Sequence, residues 1–262
     1  MDFSQPKSLG RTGRHVGRLG LGAGYGAPAA AFEMAFERGC NYFYWSSRKS
    51  GMRAAIRRIV RQGQRDRLVI ALQSYARSGR LMEYSLGKAL KALGVDYADV
   101  FLLGWHNRVP SPRLIDRALA MREKGMLHHL GMTGHNRPLF ARMADREAFD
   151  LFHVRYNAAH RGAETEVFPH LQGQGVVTYT ATRWGHLLQA RRMPPGERPP
   201  SSHDCYRFAL SHPSVDVCLC GPRNMEQMQT ALTVLESSPM DAAELARMRA
   251  IGDHVHRRRS FF

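Results

Sequence analysis

Cysteine and lysine are scarce in this chain, and long apolar runs are missing. Only four cysteines occur in 262 residues, Cys40, Cys205, Cys218 and Cys220, and they follow no metal-ligand spacing. Cys218 and Cys220 would point the same way along one strand, too close in sequence for an easy disulfide. A reduced, cytoplasmic protein is therefore expected. The longest apolar runs, such as 68–72, fall far short of the ~20 residues a bilayer span needs. The opening MDFSQPKSLGRTG also lacks the apolar core of a signal peptide, so no membrane role is expected.

Lysine stands only at positions 7, 49, 88, 91 and 124, which leaves arginine as 33 of the 38 basic residues. The formal charge of +16 admits an anionic partner: nucleic acid, a membrane surface or a phosphorylated ligand. Basic runs at Arg57, Arg58, Arg61, Arg65 and Arg67, and at Arg257, Arg258 and Arg259, carry no interleaved aromatics. No helix-turn-helix or zinc-finger spacing accompanies them, which argues against nucleic acid and for a composition bias. A small-molecule ligand of unknown identity stays open.

What is present is a repeating alternation. Short apolar runs at 18–22, 41–45, 68–72, 100–103, 127–132, 151–154, 176–179 and 215–220 predict eight strands. Helical stripes lie between them: Met52, Ile56, Ile59 and Val60; Leu86, Leu90 and Leu93; Met225, Met228, Leu232 and Leu235. Gly94, Gly125 and Gly175 are expected to end helices in the left-handed conformation. Residues 187–204 form a Pro-rich loop, and 241–259 an extra C-terminal helix. With no linker or composition break, 1–262 is expected to be one α/β domain, a closed (β/α)8 barrel.

Several motifs, in order, resemble the aldo-keto reductase family. They are KSLGRTGRHVGRLGLGAG, GCNYFYWSS, DRLVIALQ, SLGKALKALGVDYADVFLLGWH, GMLHHLGMTGHN, VRYNAAHR, GVVTYTATRWGHLL and CLCGPRNMEQMQTAL. The resemblance implies a TIM-type barrel with an N-terminal hairpin over residues 7–16. It also implies NADP(H) as cofactor and hydride transfer to a carbonyl at the C-terminal strand ends. In that family a Tyr is the general acid, a Lys lowers its pKa, an Asp holds the Lys and a His orients the substrate.

Carried over residue by residue, the Asp position falls at Tyr44 and the Tyr position at Lys49, or at Arg48 if the loop shifts by one. The Lys position falls at Gln73 and the His position at Gly104. The set that holds the carboxamide falls at Thr133, Gly134 and His153, and Tyr179 matches the residue that stacks on the nicotinamide. Gly221, Pro222, Arg223 and Asn224 resemble the phosphate-binding turn, with Arg223 placed for a 2′-phosphate. Ala231 stands where the family often has an Asn against adenine.

A replaced tetrad favours a non-catalytic or nucleotide-binding role over ordinary carbonyl reduction. The alternative is an NADP(H)-dependent oxidoreductase with an unusual proton donor, such as Tyr44, Lys49 or His106. His106, His135 and His153 follow three successive strands, so they either form a metal or acid–base site or cluster by chance among 13 histidines. Trp45, Trp105 and Trp184 are expected in mouth loops, lining a pocket or capping the barrel.

Overall fold

The eight strands alternate apolar residues on both faces, which suits strands covered inside and out. In the computed structural model, which describes residues 2–46 and 51–257, they close into a barrel. The chain opens with β1 (Lys7–Ser8), β2 (His15–Val16), β3 (Leu19–Gly22), α1 (Ala29–Glu37), β4 (Tyr42–Trp45), α2 (Met52–Arg61) and β5 (Val69–Ser74). It continues through α3 (Gly79–Leu93), β6 (Ala98–Leu103), α4 (Pro112–Glu123), β7 (Leu127–Thr133), α5 (Arg137–Ala144), β8 (Leu151–Arg155) and α6 (Ala163–Glu166). It ends with β9 (Gly175–Tyr179), α7 (Ser202–Leu210), β10 (Val217–Cys220), α8 (Met225–Leu232) and α9 (Ala242–Arg257). β1 and β2 form the expected hairpin, and β3 to β10 pair in chain order until β10 returns to β3. Arg258 and Arg259, expected in the last helix, lie outside the described residues.

Two cores follow from the strand alternation. Val69, Ala71, Val100, Leu102, Val177, Val217 and Leu219 fill the barrel, joined from below by Leu9 and Val16 of the hairpin. Ile70, Leu72, Phe101, Leu103, Cys218 and Cys220 face the helices, where they meet Ile56, Leu86, Leu90 and Met228. All four cysteines are buried and free.

Polar side chains pin the lower rim in a fourfold pattern. Asn41 accepts from the Gly17 N–H at 3.0 Å. Asp99, Asp150 and Asp216 accept from Ile70, Leu130 and Val176 at 2.9 Å each. The acceptor always comes from the start of an even-numbered barrel strand, and the donor from the odd-numbered strand before it or its lead-in. Cations hold the carboxylates: Arg65 and Arg14 on Asp99 at 2.8 and 3.0 Å, and Lys7 on Asp216 at 2.9 Å. Part of the arginine excess is thus structural, fastening the hairpin to the barrel.

Gly94 and Gly125 are left-handed, with φ of 71° and 72°, as expected of helix ends. Gly175 is not. It opens β9, and a Cβ there would lie 2.8 Å from the Leu9 side chain, so close approach of the hairpin demands the glycine. No helix among the described residues is long and apolar enough to cross a membrane.

Candidate functional site

Extending the inward-facing series of each strand upward reaches the C-terminal mouth at Gly22, Tyr44, Gln73, Gly104, Thr133, His153, Arg155, Tyr179 and Gly221. All of these except Gly104 and Arg155 line a cavity of about 400 Å³, within the size range of small-molecule sites. Tyr25, Tyr75, Trp105 and Trp184 form its rim, each more than half exposed. They account for four of the seven large apolar side chains left exposed among the described residues, so the surface apolar area gathers at the mouth. Among the described residues, no Asp, Glu, Lys or Arg lines the cavity.

Backbone strain gathers in the same place. The described non-glycine residues with positive φ are Trp105 (52°), Thr180 (59°), Arg183 (49°) and Trp184 (52°), and all but Arg183 line the cavity. Such conformations cost on the order of 1 kcal/mol or more each and persist at functional loops.

The floor is a set of closed pairs. The Tyr44 hydroxyl donates to Gln73 Oε1 at 2.6 Å. Burial first, and then the neighbouring tyrosines, push its pKa well above the usual phenol value. Below it, Tyr42 and His153 share a hydrogen bond at 2.7 Å. The His153 ring lies 5.3 Å from that of Tyr44. Burial pulls the His153 pKa down to about 3, so the ring is neutral at physiological pH.

Gly104 and Gln73 are mutually fitted. A Cβ on Gly104 would stand 2.7 Å from Gln73 Nε2 and 2.8 Å from the Ser74 carbonyl. Gln73 thus occupies the space a side chain at the end of β6 would need.

The residues assigned to the carboxamide are already engaged. Thr133 lies beside the Tyr179 hydroxyl, which donates to the Gly134 carbonyl at 3.3 Å. Gly134 has no room for a side chain, since a Cβ would fall 2.0 Å from the His106 carbonyl. His153 is committed to Tyr42.

The phosphate turn is similarly closed. Asn224 caps α8 by accepting from the Gln227 N–H at 2.8 Å, while Gln227 Oε1 takes the Arg223 N–H at 3.0 Å. The Tyr25 ring covers Gly221, where a Cβ would meet it at 2.5 Å. Arg223 is exposed, and Ala231 is buried in the core rather than facing a ligand.

Two readings change with the structure. The histidine trio does not converge: His153 sits on the cavity floor, His135 is at the rim against Trp105, and His106 lies in a second pocket of about 450 Å³ beyond Trp105. Burial and then Arg77 lower the His106 pKa to about 4. No group of three or more His, Cys, Asp or Glu that could hold a metal occurs among the described residues. Trp45 packs toward the helices, not into the mouth. Lys49 and Arg48 lie outside the described residues.

Sequence reasoning missed Tyr25, Tyr75, Tyr206 and Arg155. Position in βα loops or at strand ends was available as a signal for Tyr25, Tyr75 and Arg155. Tyr206 reaches the cavity from α7, where nothing in the sequence marks it.

No protein-family profile and no curated protein sequence matches the chain. Among solved structures, the aldo-keto reductase AKR11C1 from Bacillus halodurans, holo form, superposes with a TM-score of 0.78 at 17% identity, covering 94% of this chain and 96% of that one. Its apo form gives 0.76 at 18% identity, covering 94% and 95%. At this identity the likeness is one of fold: the chain has the barrel of an aldo-keto reductase, as the resemblance implied.

Proposed function

We propose that this barrel is a non-catalytic binding protein. Its mouth cavity takes the flat, uncharged body of a small molecule, and it does not carry out ordinary carbonyl reduction. The observation that carries the reading is the Tyr44–Gln73 pair in a cavity whose described wall residues include no Asp, Glu, Lys or Arg.

Carbonyl reduction leaves an alkoxide, so its transition state needs an acid within hydrogen-bond reach, worth ~10²–10⁴-fold in rate. Tyr44 has the only hydroxyl on the Asp/Lys/His positions carried over from the resemblance. Its hydroxyl donates to Gln73, and burial raises its pKa with no cation among the described wall residues to lower it. His106, the other described candidate donor, opens into a different pocket.

The residues present do not fit NADP(H). The carboxamide positions Gly134 and His153 are engaged by Tyr179 and Tyr42, and the N–H groups of Arg223 and Gln227 at the phosphate turn are occupied by the α8 cap. The exposed Arg223 guanidinium is the charged group left for a phosphate at this turn. Aromatic rims and neutral hydrogen-bonding groups instead suit a planar body held by stacking and a few polar contacts.

NADPH titration by nucleotide fluorescence, with Arg223→Ala alongside, should show weak or no binding that the variant leaves unchanged. Carbonyl panels should produce no NADPH oxidation above background in the wild type or in Tyr44→Phe. Robust turnover abolished by Tyr44→Phe would sink the proposal and make Tyr44 the acid.

A further inference from the structure

Arg155 ends β8 and pairs in register with Tyr179 of β9, so it turns inward at the mouth, one step above His153. Its charge reaches Tyr179 and His135, both walls of the cavity. Burial is the main force lowering its pKa, and the like charge of Arg137 adds to it against the pull of Tyr179.

Among the described residues, Arg155 has no hydrogen-bond acceptor and no carboxylate partner. Every other part-buried or buried arginine among the described residues has one. The acids on flanking helices are engaged elsewhere. Glu166 pairs with Arg137 at 2.8 Å, Glu164 with Arg249 at 2.9 Å and with the Tyr156 hydroxyl at 2.7 Å, and Asp253 with Arg161 at 2.7 Å.

Positive charge accumulates there. Burial first, and then Arg155, Arg183, His256 and Arg137, push the His160 pKa down to about 3. Arg183 spends its guanidinium on the Val255 carbonyl, which neutralises nothing. A half-buried cation among like charges, with no counter-charge among the described residues, carries a desolvation cost that an anion supplied from outside the chain would offset.

We infer that Arg155 receives an oxyanion, a carboxylate or phosphoryl group, at the end of the molecule whose uncharged body enters the cavity. The identity of the carrier rests on the cavity being a ligand site, while the demand of Arg155 for an anion does not. A planar guanidinium open on its donor edge suits the two oxygens of such a group.

The test uses the full chain, with tryptophan fluorescence from Trp105 and Trp184 at the rim. The probes are benzamide, benzoate, phenyl phosphate and inorganic phosphate. Benzoate and phenyl phosphate should bind at least ~10-fold tighter than benzamide, a preference lost in Arg155→Met and kept in the exposed control Arg61→Met. Without ligand, Arg155→Met should melt higher than wild type, and inorganic phosphate should raise the wild-type Tm but not that of Arg155→Met.

An anion preference that survives Arg155→Met, or that Arg61→Met abolishes equally, would assign it to diffuse charge and overturn the inference. So would the absence of any preference together with no phosphate effect on Tm. If neither benzamide nor benzoate binds while phosphate still stabilises only chains with Arg155, the anion site stands and the cavity reading falls.

Discussion

Replacing Gly104 with alanine probes the fit between two positions that the family resemblance assigns to catalysis. The added Cβ would lie 2.7 Å from Gln73 Nε2, 2.8 Å from Gln73 Cγ and 2.8 Å from the Ser74 carbonyl oxygen. The Gln73 amide can rotate away, at the expense of its bond to Tyr44. The Ser74 carbonyl cannot retreat freely, because it accepts from the Gly104 N–H at 2.8 Å. Overpacking of this kind costs about 1–3 kcal/mol, and each kcal/mol moves Tm by roughly 2–4 °C in a chain of this size. Gly104→Ala should therefore melt several degrees lower. In a Gln73→Ala background two of the three short contacts vanish, so the same change should cost at least about 0.5 kcal/mol less, the usual floor for coupled neighbours. Urea melts of the four chains measure the coupling. A Gly104→Ala protein as stable as wild type, or a cost unchanged by Gln73→Ala, would refute the idea that Gln73 fills the end of β6.

His153 should make the protein acid-sensitive. The folded ring stays neutral down to about pH 3, while the unfolded chain takes the proton below pH ~6.5. Its contribution is therefore complete above pH ~6.5 and lost as pH falls, at about 1.4 kcal/mol per unit. Between pH 7 and 5, wild type should lose about 2 kcal/mol more than His153→Gln in urea melts, and parallel pH profiles would count against this. At the lower rim, Asp99→Ala should cost about 3–5 kcal/mol, since it strands Arg65 and Arg14 and the Ile70 N–H. A loss below ~1 kcal/mol in thermal or urea melts would show that water replaces the carboxylate.

The barrel was legible because strand alternation and helix periodicity are local signals. VIAL at 69–72 places Val69 and Ala71 in one core and Ile70 and Leu72 in the other, as expected of a strand buried on both faces. Gly94 and Gly125 were equally plain, because a helix end needs a left-handed residue whatever lies around it. Gly175 was misread because its constraint comes from Leu9, 166 positions away in the chain, and no local pattern carries that contact. The fourfold rim of Asn41, Asp99, Asp150 and Asp216 was invisible for the same reason. Each side chain is an unremarkable polar residue until the barrel brings the preceding strand's N–H beside it.

At the mouth, strand parity and pairing state carry different information. Parity depends only on the strands, so it alone sends Tyr44, Gln73, Thr133, His153 and Tyr179 into one cavity, and it would have sent Arg155 to the same mouth. It also explains why the histidine trio failed. His153 lies on a strand with inward parity, whereas His106 and His135 lie past strand ends, where loop geometry decides, and Trp105 at φ 52° separates them. Whether a residue is free to act depends instead on its partners, which are long-range. The Tyr44 hydroxyl, a possible acid by residue type, donates to Gln73, 29 residues on. At the turn that resembles a phosphate site, the Arg223 and Gln227 N–H groups are engaged by Gln227 and Asn224 side chains. Arg155 passed for one more arginine in an arginine-rich chain, and only the pairing of Glu164, Glu166 and Asp253 elsewhere leaves it unmet. In a chain with 38 basic and 22 acidic residues, a large share of the cations have no acid of their own, and water satisfies the exposed ones. The informative cation is the one that the fold half-buries and still leaves unpaired among the described residues, and in this barrel it ends β8, two residues beyond His153 of the cavity floor.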